Sequence, residues 1–248
     1  MSRAPVWLAV LLSAGTALAQ TESPPPKEVF TYNIEWRLIN AGKAVIEWHP
    51  SEVEGHPGWQ AHLDLESIGL VSKLYKVDME SVSNVDRDFC AVSTLTTGRE
   101  GSRRRETQVA FDNESHKAFY RERDLVKNTL LTSQQVPIPP CVHDVLGGLF
   151  YLRGLDLEPG KSVEIPVSDG KKSAMVKVEA QQGEEVKVPD GTFKTVRYEI
   201  NLFNNVLYRR PAHLYVWFSD DNRKLPVQIR VRLQIAIGTI TLQLASHE

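Results

Sequence analysis

Hydrophobic and polar residues alternate with a period of two along most of the chain. Phe30, Tyr32, Ile34, Trp36 and Leu38 are separated by Thr31, Asn33, Glu35 and Arg37, and Ala44, Ile46 and Trp48 resume the pattern after the turn-like Asn40-Ala41-Gly42-Lys43. Such a period turns one side of a strand to a core and the other to water. The polar stretch 49–58, with two prolines and two glycines, reads as a loop, and Trp59, Ala61, Leu63 and Leu65 line the next strand. Further strands are predicted over 77–85, 90–98, 107–112 and 117–122.

The pattern breaks once. Pro137-Ile138-Pro139-Pro140 interrupts it, and Asp144 is a suitable N-cap for a short helix running to Arg153. Leu146, Leu149, Phe150 and Arg153 fall at helical spacing there, and Gly154 is a natural stop. Alternation then returns as hairpins across Ser168-Asp169-Gly170-Lys171 and across Pro189-Asp190-Gly191, the second placing Gly191 at a strong turn signal. A strand ending in Trp217-Phe218 leads into a polar turn at 219–224, and the return opens with Leu225-Pro226-Val227. Apolar residues hold odd positions from Val227 to Ile237 and even positions from Ile240 to Leu244. A phase change at Gly238 predicts a bulge or sharp bend in one long strand. The chain is therefore read as mainly β, a strongly curved antiparallel sheet or open barrel of about a dozen strands with one short helix near 144–153.

Composition narrows the function classes. Of 248 residues, 42% are hydrophobic and 24% charged, the balance of a globular chain able to bury a core without a structural metal. Lys and Arg total 29 against 31 Asp and Glu, so no global basic field exists for a nucleic-acid backbone. Met1-Ser2-Arg3, an apolar run over 4–14 and Ala17-Leu18-Ala19 form a signal peptide over 1–19. A proline-rich leader follows over 20–28, then a single β-rich domain over 29–248. No segment is long and apolar enough to be read as a membrane span. The expected product is exported and soluble after cleavage. Its two cysteines, Cys90 and Cys141, are then most simply a disulfide, worth about 4 kcal/mol in the chain-entropy model.

Patterns for a nucleophile elbow, phosphate loop, dinucleotide fold or zinc protease are absent, and no cofactor or metal is implied. His49, His56 and His62 fit no ligand signature and are read as surface residues. Cys141-x-His143-Asp144 has the residue types of a thiol nucleophile with its base, which requires a free thiol. Ser219-Asp220-Asp221-Asn222 offers oxygen ligands without the ladder of a calcium loop. Arg99, Arg103, Arg104, Arg105, Arg121 and Arg123 form a local basic cluster that could meet an anionic lipid, a glycan or a partner protein, or be a solvated face paired with Glu100, Glu106 and Glu122. Arg153, at the end of an apolar helix, is read as satisfying helix carbonyls or a buried acid.

An ordered set of short motifs resembles the bacterial domain-of-unknown-function family 3108. It comprises Phe30-Thr-Tyr32, Ala41-Gly42-Lys43-Ala44, Ile68-Gly69-Leu70 to Tyr75, Arg103-Arg-Arg-Glu106 leading into Phe111-Asp112, Cys141-Val-His-Asp144 with Phe150-Tyr151-Leu152-Arg153, Gly191-Thr192-Phe193, Val216-Trp217-Phe218-Ser219-Asp220-Asp221, Leu225-Pro226-Val227 and Ile237-Gly238-Thr239-Ile240. The resemblance implies an exported cell-envelope protein and carries no catalytic residues. The hairpin from Trp217 to Pro226 is also similar in shape to one in periplasmic lipoprotein carriers, half-barrels around a helix. The leading expectation is a non-enzymatic binding or accessory protein with a lipid or other hydrophobic envelope ligand on the concave sheet face. The alternatives are a hydrolase of envelope glycan or lipid using carboxylates such as Asp220 and Asp221, and a module that docks another envelope protein.

Overall fold

A computed structural model describes residues 27–233 and 238–248. The signal peptide and nearly all of the leader lie outside the described residues, as do Ile235 and Ile237. In chain order the elements are β1 (Glu28–Trp36), β2 (Ile39–Val53), β3 (His56–Ser67), α1 (Gly69–Leu74), β4 (Val77–Asp86), β5 (Ala91–Glu100), β6 (Arg103–Asp112), β7 (Lys117–Asp124) and β8 (Thr129–Pro137). Then come α2 (Val145–Arg153), β9 (Ser162–Ser168), β10 (Ser173–Val188), β11 (Gly191–Ile200), β12 (Ala212–Ser219), β13 (Pro226–Leu233) and β14 (Thr239–His247). All described strands join one antiparallel sheet in the order β8-β7-β6-β5-β4-β3-β2-β1-β14-β13-β12-β11-β10-β9. The ladder does not close, so β8 and β9 are its edges.

The mainly β, antiparallel expectation holds, with fourteen strands and two short helices among the described residues. Alternation works as read on β1 and β2, where Phe30, Tyr32, Ala44, Ile46 and Trp48 are all buried. Several boundaries differ. The first turn falls at Arg37-Leu38, both with positive φ, three residues before the predicted one. Gly42 is instead inside β2, where a Cβ would collide with the Glu66 carbonyl oxygen. The predicted loop 49–58 is strand on both sides of a turn at Glu54-Gly55. Pro50 and Pro57 are tolerated because they extend past the ends of β1 and β4, so no ladder partner is lost on those sides.

The C-terminal return is the largest correction. β13 and β14 are separate strands paired to each other, Val231 opposite Ile240 and Arg232 opposite Thr239. Gly238 lies in the connection between them, with φ +83°, and is not a bulge within one strand. The odd-to-even shift arises because the chain reverses. Reading 225–244 as one strand would also demand roughly 65 Å of extended chain at about 3.3 Å per residue, far beyond an ordinary strand.

β8 went unread because it is an edge strand with no buried residue and no apolar period. β10 is one strand of 16 residues instead of two, with a register shift between Ala180 and Gly183. That shift bends the β10–β11 tip back onto β14, where the Asp190 amide donates to the Leu244 carbonyl at 3.1 Å. The two ends of the sheet meet through side chains and the 141–144 strip. Lys171 in the β9–β10 turn reaches Glu122 on β7 at 2.9 Å.

Candidate functional site

α2 is positioned from both ends. At its start the Asp144 carboxylate accepts from the Leu146 and Gly147 amides at 2.9 and 3.1 Å, and the Ser83 hydroxyl of β4 donates to it at 2.6 Å. Burial is the dominant influence on this group and raises its pKa, though the three donors oppose that. The preceding residues form a strap. Ala91 donates to the Val142 carbonyl, while the His143 amide donates to Pro166 and the Ser168 amide to His143, so the strip links β5 to edge strand β9. Cys90 and Cys141 are disulfide-bonded and fasten the strap to the β4–β5 turn, just before β5.

At the far end of α2, Arg153 makes a two-pronged ion pair with Glu28 of β1 at 2.7 and 2.9 Å. Its remaining donors reach the carbonyls of Lys224 and Arg223 in the β12–β13 turn, and its guanidinium lies over the rings of Phe30 and Phe150. The arginine thus satisfies an acid and turn carbonyls on other elements, not the carbonyls of its own helix. Trp48 stacks on Phe150 with centroids 4.0 Å apart and on Trp59 at 5.4 Å. These rings and α2 fill the end of the sheet nearest the β2–β3 and β4–β5 turns.

Above that plug the described residues do not fill the interior. A cavity of about 290 Å³ lies between one side of α2 and the inner faces of β2, β3, β9 and β11–β14. Its walls include Ile46, Leu63 and Leu65 on one flank, Ile165, Val167, Ile200, Leu214 and Val216 on the other, and Leu149 and Gly148 of the helix. Among the described residues that line it, Asp144 and Tyr208 alone carry side-chain polar atoms, and the Asp144 carboxylate is held by its cap. Leu63, Leu65, Leu149, Leu214, Ile229, Val231 and Leu242 face inward yet keep partial solvent exposure. A sheet this extensive with a single helix packed on its inner side leaves apolar surface that no other described element covers. A larger depression, about 680 Å³, is bordered by polar and exposed residues including Asn204, His213 and Arg232, and lacks this apolar character.

The predicted residues fall into place unevenly. Trp217 is buried, donates its indole N–H to Glu184 at 2.8 Å, and carries Arg230 against its ring. Pro226 opens β13 and accepts the Tyr32 hydroxyl at 2.8 Å, and Gly191 starts β11 at the Asp-Gly turn. Asp220 is an exposed turn residue. Asp221 is bound by Ser219 and Arg223, which outweigh its partial burial and hold its carboxyl below the ordinary value.

The thiol reading of Cys141-x-His143-Asp144 is overturned, since Cys141 has no free thiol. His143 is buried with its Nδ1 donating to the Phe89 carbonyl at 2.7 Å, and burial lowers its pKa. His49, His56 and His62 do not converge; His62 faces Glu80 at 3.2 Å.

The six arginines divide between the two faces of the sheet. Arg99 lies opposite Arg104, with Arg121 and Arg123 opposite Gln108 and Glu106, all on the outer face. Arg103 and Arg105 share the inner face with Glu122, to which Arg105 donates at 2.6 Å. The cavity-lining residues of 200–208 and the role of Gly148 were not read from the sequence. A Gly-Gly pair inside an apolar helix was the available signal.

The family model for a protein of unknown function, DUF3108, matches residues 31–245. The chain belongs to that family. No curated protein matches the sequence significantly. Among solved structures, a β-barrel-like protein of domain of unknown function DUF1849 from Brucella abortus aligns at TM-score 0.57 with 10% identity, covering 90% of this chain and 97% of that one. At that identity the likeness speaks to the fold alone. A DUF1089 family protein from Pseudomonas aeruginosa aligns at TM-score 0.34 with 12% identity over 87% of this chain and 95% of its own. Among the described residues of this DUF3108 protein, no helix is long and apolar enough to cross a membrane.

Proposed function

We propose that this DUF3108 protein is an exported, non-enzymatic binding protein of the cell envelope that holds a hydrophobic ligand, such as a lipid acyl chain, in the cavity beside α2. The observation that carries this reading is the cavity itself, about 290 Å³ and walled almost entirely by apolar side chains, several of which stay partly open to solvent. A void of this kind stabilises nothing while empty, and covering its walls with an apolar ligand gains about 25 cal/mol per Å² removed from water. Its size is at the lower end for a small-molecule site and fits one chain-like apolar group. Export is supported by the N-terminal signal pattern and by the disulfide, which belongs to oxidising compartments.

Native mass spectrometry of protein prepared gently from the periplasm tests the reading. A reproducible added mass, released by organic solvent and identified as a lipid, is expected. A bare mass that persists after incubation with fatty acids and phospholipids would dismiss it.

A further inference from the structure

The rim opposite the plugged end breaks two ordinary rules of sequence economy. The β1–β2 turn is built from Arg37 and Leu38 with φ of 49° and 68°, a left-handed pair that normally calls for Asn-Gly. The strained turn holds Leu38 out at 93% exposure, where it contributes nothing to a core. Beside it, α1 has no buried residue at all. It nevertheless carries Leu70 and Leu74, with Tyr75 following, and Leu74 is 75% exposed. The two features belong to one rim, because the Ile68 amide donates to the Ala41 carbonyl at 2.9 Å just beyond the turn. Local rules broken without a packing gain point to a contact made outside the fold.

The same rim is basic in a chain that is acidic overall. Lys43, Lys73, Lys76, Arg99, Arg103 and Arg104 are all exposed there, against the acids Glu66, Asp78 and Glu100. The β5–β6 turn that leads into the last two arginines is tied in by the Gly101 amide donating to the Lys76 carbonyl at 2.7 Å. Protruding aliphatic and tyrosine side chains flanked by cations match the interface of an anionic bilayer, where apolar groups sink below the headgroups and each nearby cation adds attraction. The cavity also faces this way. α2 closes the other end, while the cavity residue Val231 lies opposite Ile240, one residue from Thr239, whose carbonyl accepts the Arg37 amide of the rim turn.

We infer that this rim, formed by the β1–β2 turn, α1 and the β5–β6 turn, seats the protein on an anionic lipid surface with the cavity mouth toward the bilayer. The docking stands on the rim alone; only the purpose of the orientation rests on the ligand reading.

Flotation of the full chain with phosphatidylglycerol–phosphatidylethanolamine vesicles, and separately with pure phosphatidylcholine vesicles, tests it. The protein is expected to float with the anionic vesicles, less at high salt, and hardly with phosphatidylcholine. Leu38→Asp and Leu74→Asp, at exposed positions where the fold is checked by unchanged thermal unfolding, should each weaken binding roughly tenfold or more. Lys73→Ala and Lys76→Ala should each weaken it about fivefold. Gly148→Leu, which obstructs the cavity and leaves the rim intact, should float like the parent even if no ligand is ever found. Absence of binding to anionic vesicles would overturn the inference in favour of a protein partner at the rim. So would a Leu38→Asp, Leu74→Asp double variant that floats undiminished.

Discussion

Gly148 has room for a Cβ and lines the cavity, so leucine at this position is expected to place its isobutyl group in the void. A Cβ at Gly148 meets only the His143 Cβ, at 3.7 Å, and the residue lines the void. Removing a glycine from a helix interior gains about 0.8 kcal/mol. Burying a leucine side chain against existing apolar walls gains about 1.5–3 kcal/mol. The sum, about 2–4 kcal/mol, corresponds to a rise in melting temperature of roughly 5–15 °C for a chain of this size.

The neighbouring glycine is the control. A Cβ at Gly147 would lie 2.8 Å from the Val85 Cγ1 and 3.0 Å from the Asp144 Oδ2. Gly147→Ala therefore strains the contact of α2 with β4 and disturbs the cap, and should cost about 1–3 kcal/mol. Thermal unfolding by circular dichroism reads both variants, and native mass spectrometry asks whether Gly148→Leu has lost any added mass. A Gly148→Leu protein that is less stable than the parent, or that still carries the same ligand in full, would refute the account of the cavity.

Other expectations follow from the supports of α2. Arg153→Ala removes the paired contact to Glu28 and two carbonyl contacts, and should cost about 2–4 kcal/mol in urea unfolding, with Arg153→Lys recovering only part because it lacks the planar fork. An unchanged midpoint would show that the contacts are idle. Asp144 has a raised pKa in the folded state, so its contribution is complete below the ordinary aspartate value and is lost as pH rises through the raised one. Asp144→Asn should flatten that decline, and identical urea midpoint profiles for the two proteins across this range would contradict it. Glu122 behaves oppositely. Burial pushes its pKa up, but Lys171, Tyr120 and Arg105 together hold it low, so its contribution is lost as pH falls through that low value. Glu122→Gln should therefore remove part of the acid-induced destabilisation. Replacing both cysteines by serine should cost about 2–4 kcal/mol, given the 51-residue separation of the pair. A variant as stable as the parent would mean that the strap is held by its backbone bonds alone.

Period and turn chemistry were enough to specify a mainly β, antiparallel chain, the α2 helix from its Asp144 cap to its Gly154 stop, and a disulfide between the two cysteines. These are local or compositional facts, fixed by spacing and by the scarcity of alternatives. Position in the sheet was not legible in the same way. β8 shows no apolar period because an edge strand with both faces wet needs none. α1 has no buried face, and so no apolar period that would mark it as a helix.

The division into β13 and β14 was hidden because reversal and a one-residue slip produce the same odd-to-even shift in the pattern. The cavity belongs entirely to the tertiary structure. Leu63, Val231 and Leu149 look like core residues in the sequence, since apolar alternation states only which side faces inward. Whether the inward side is filled depends on how much sheet one nine-residue helix can cover. Among the described residues α2 covers the end near Trp48 and leaves the end near Leu65 and Val231 open, because packing is decided by volume in three dimensions and not by the order of residues along the chain.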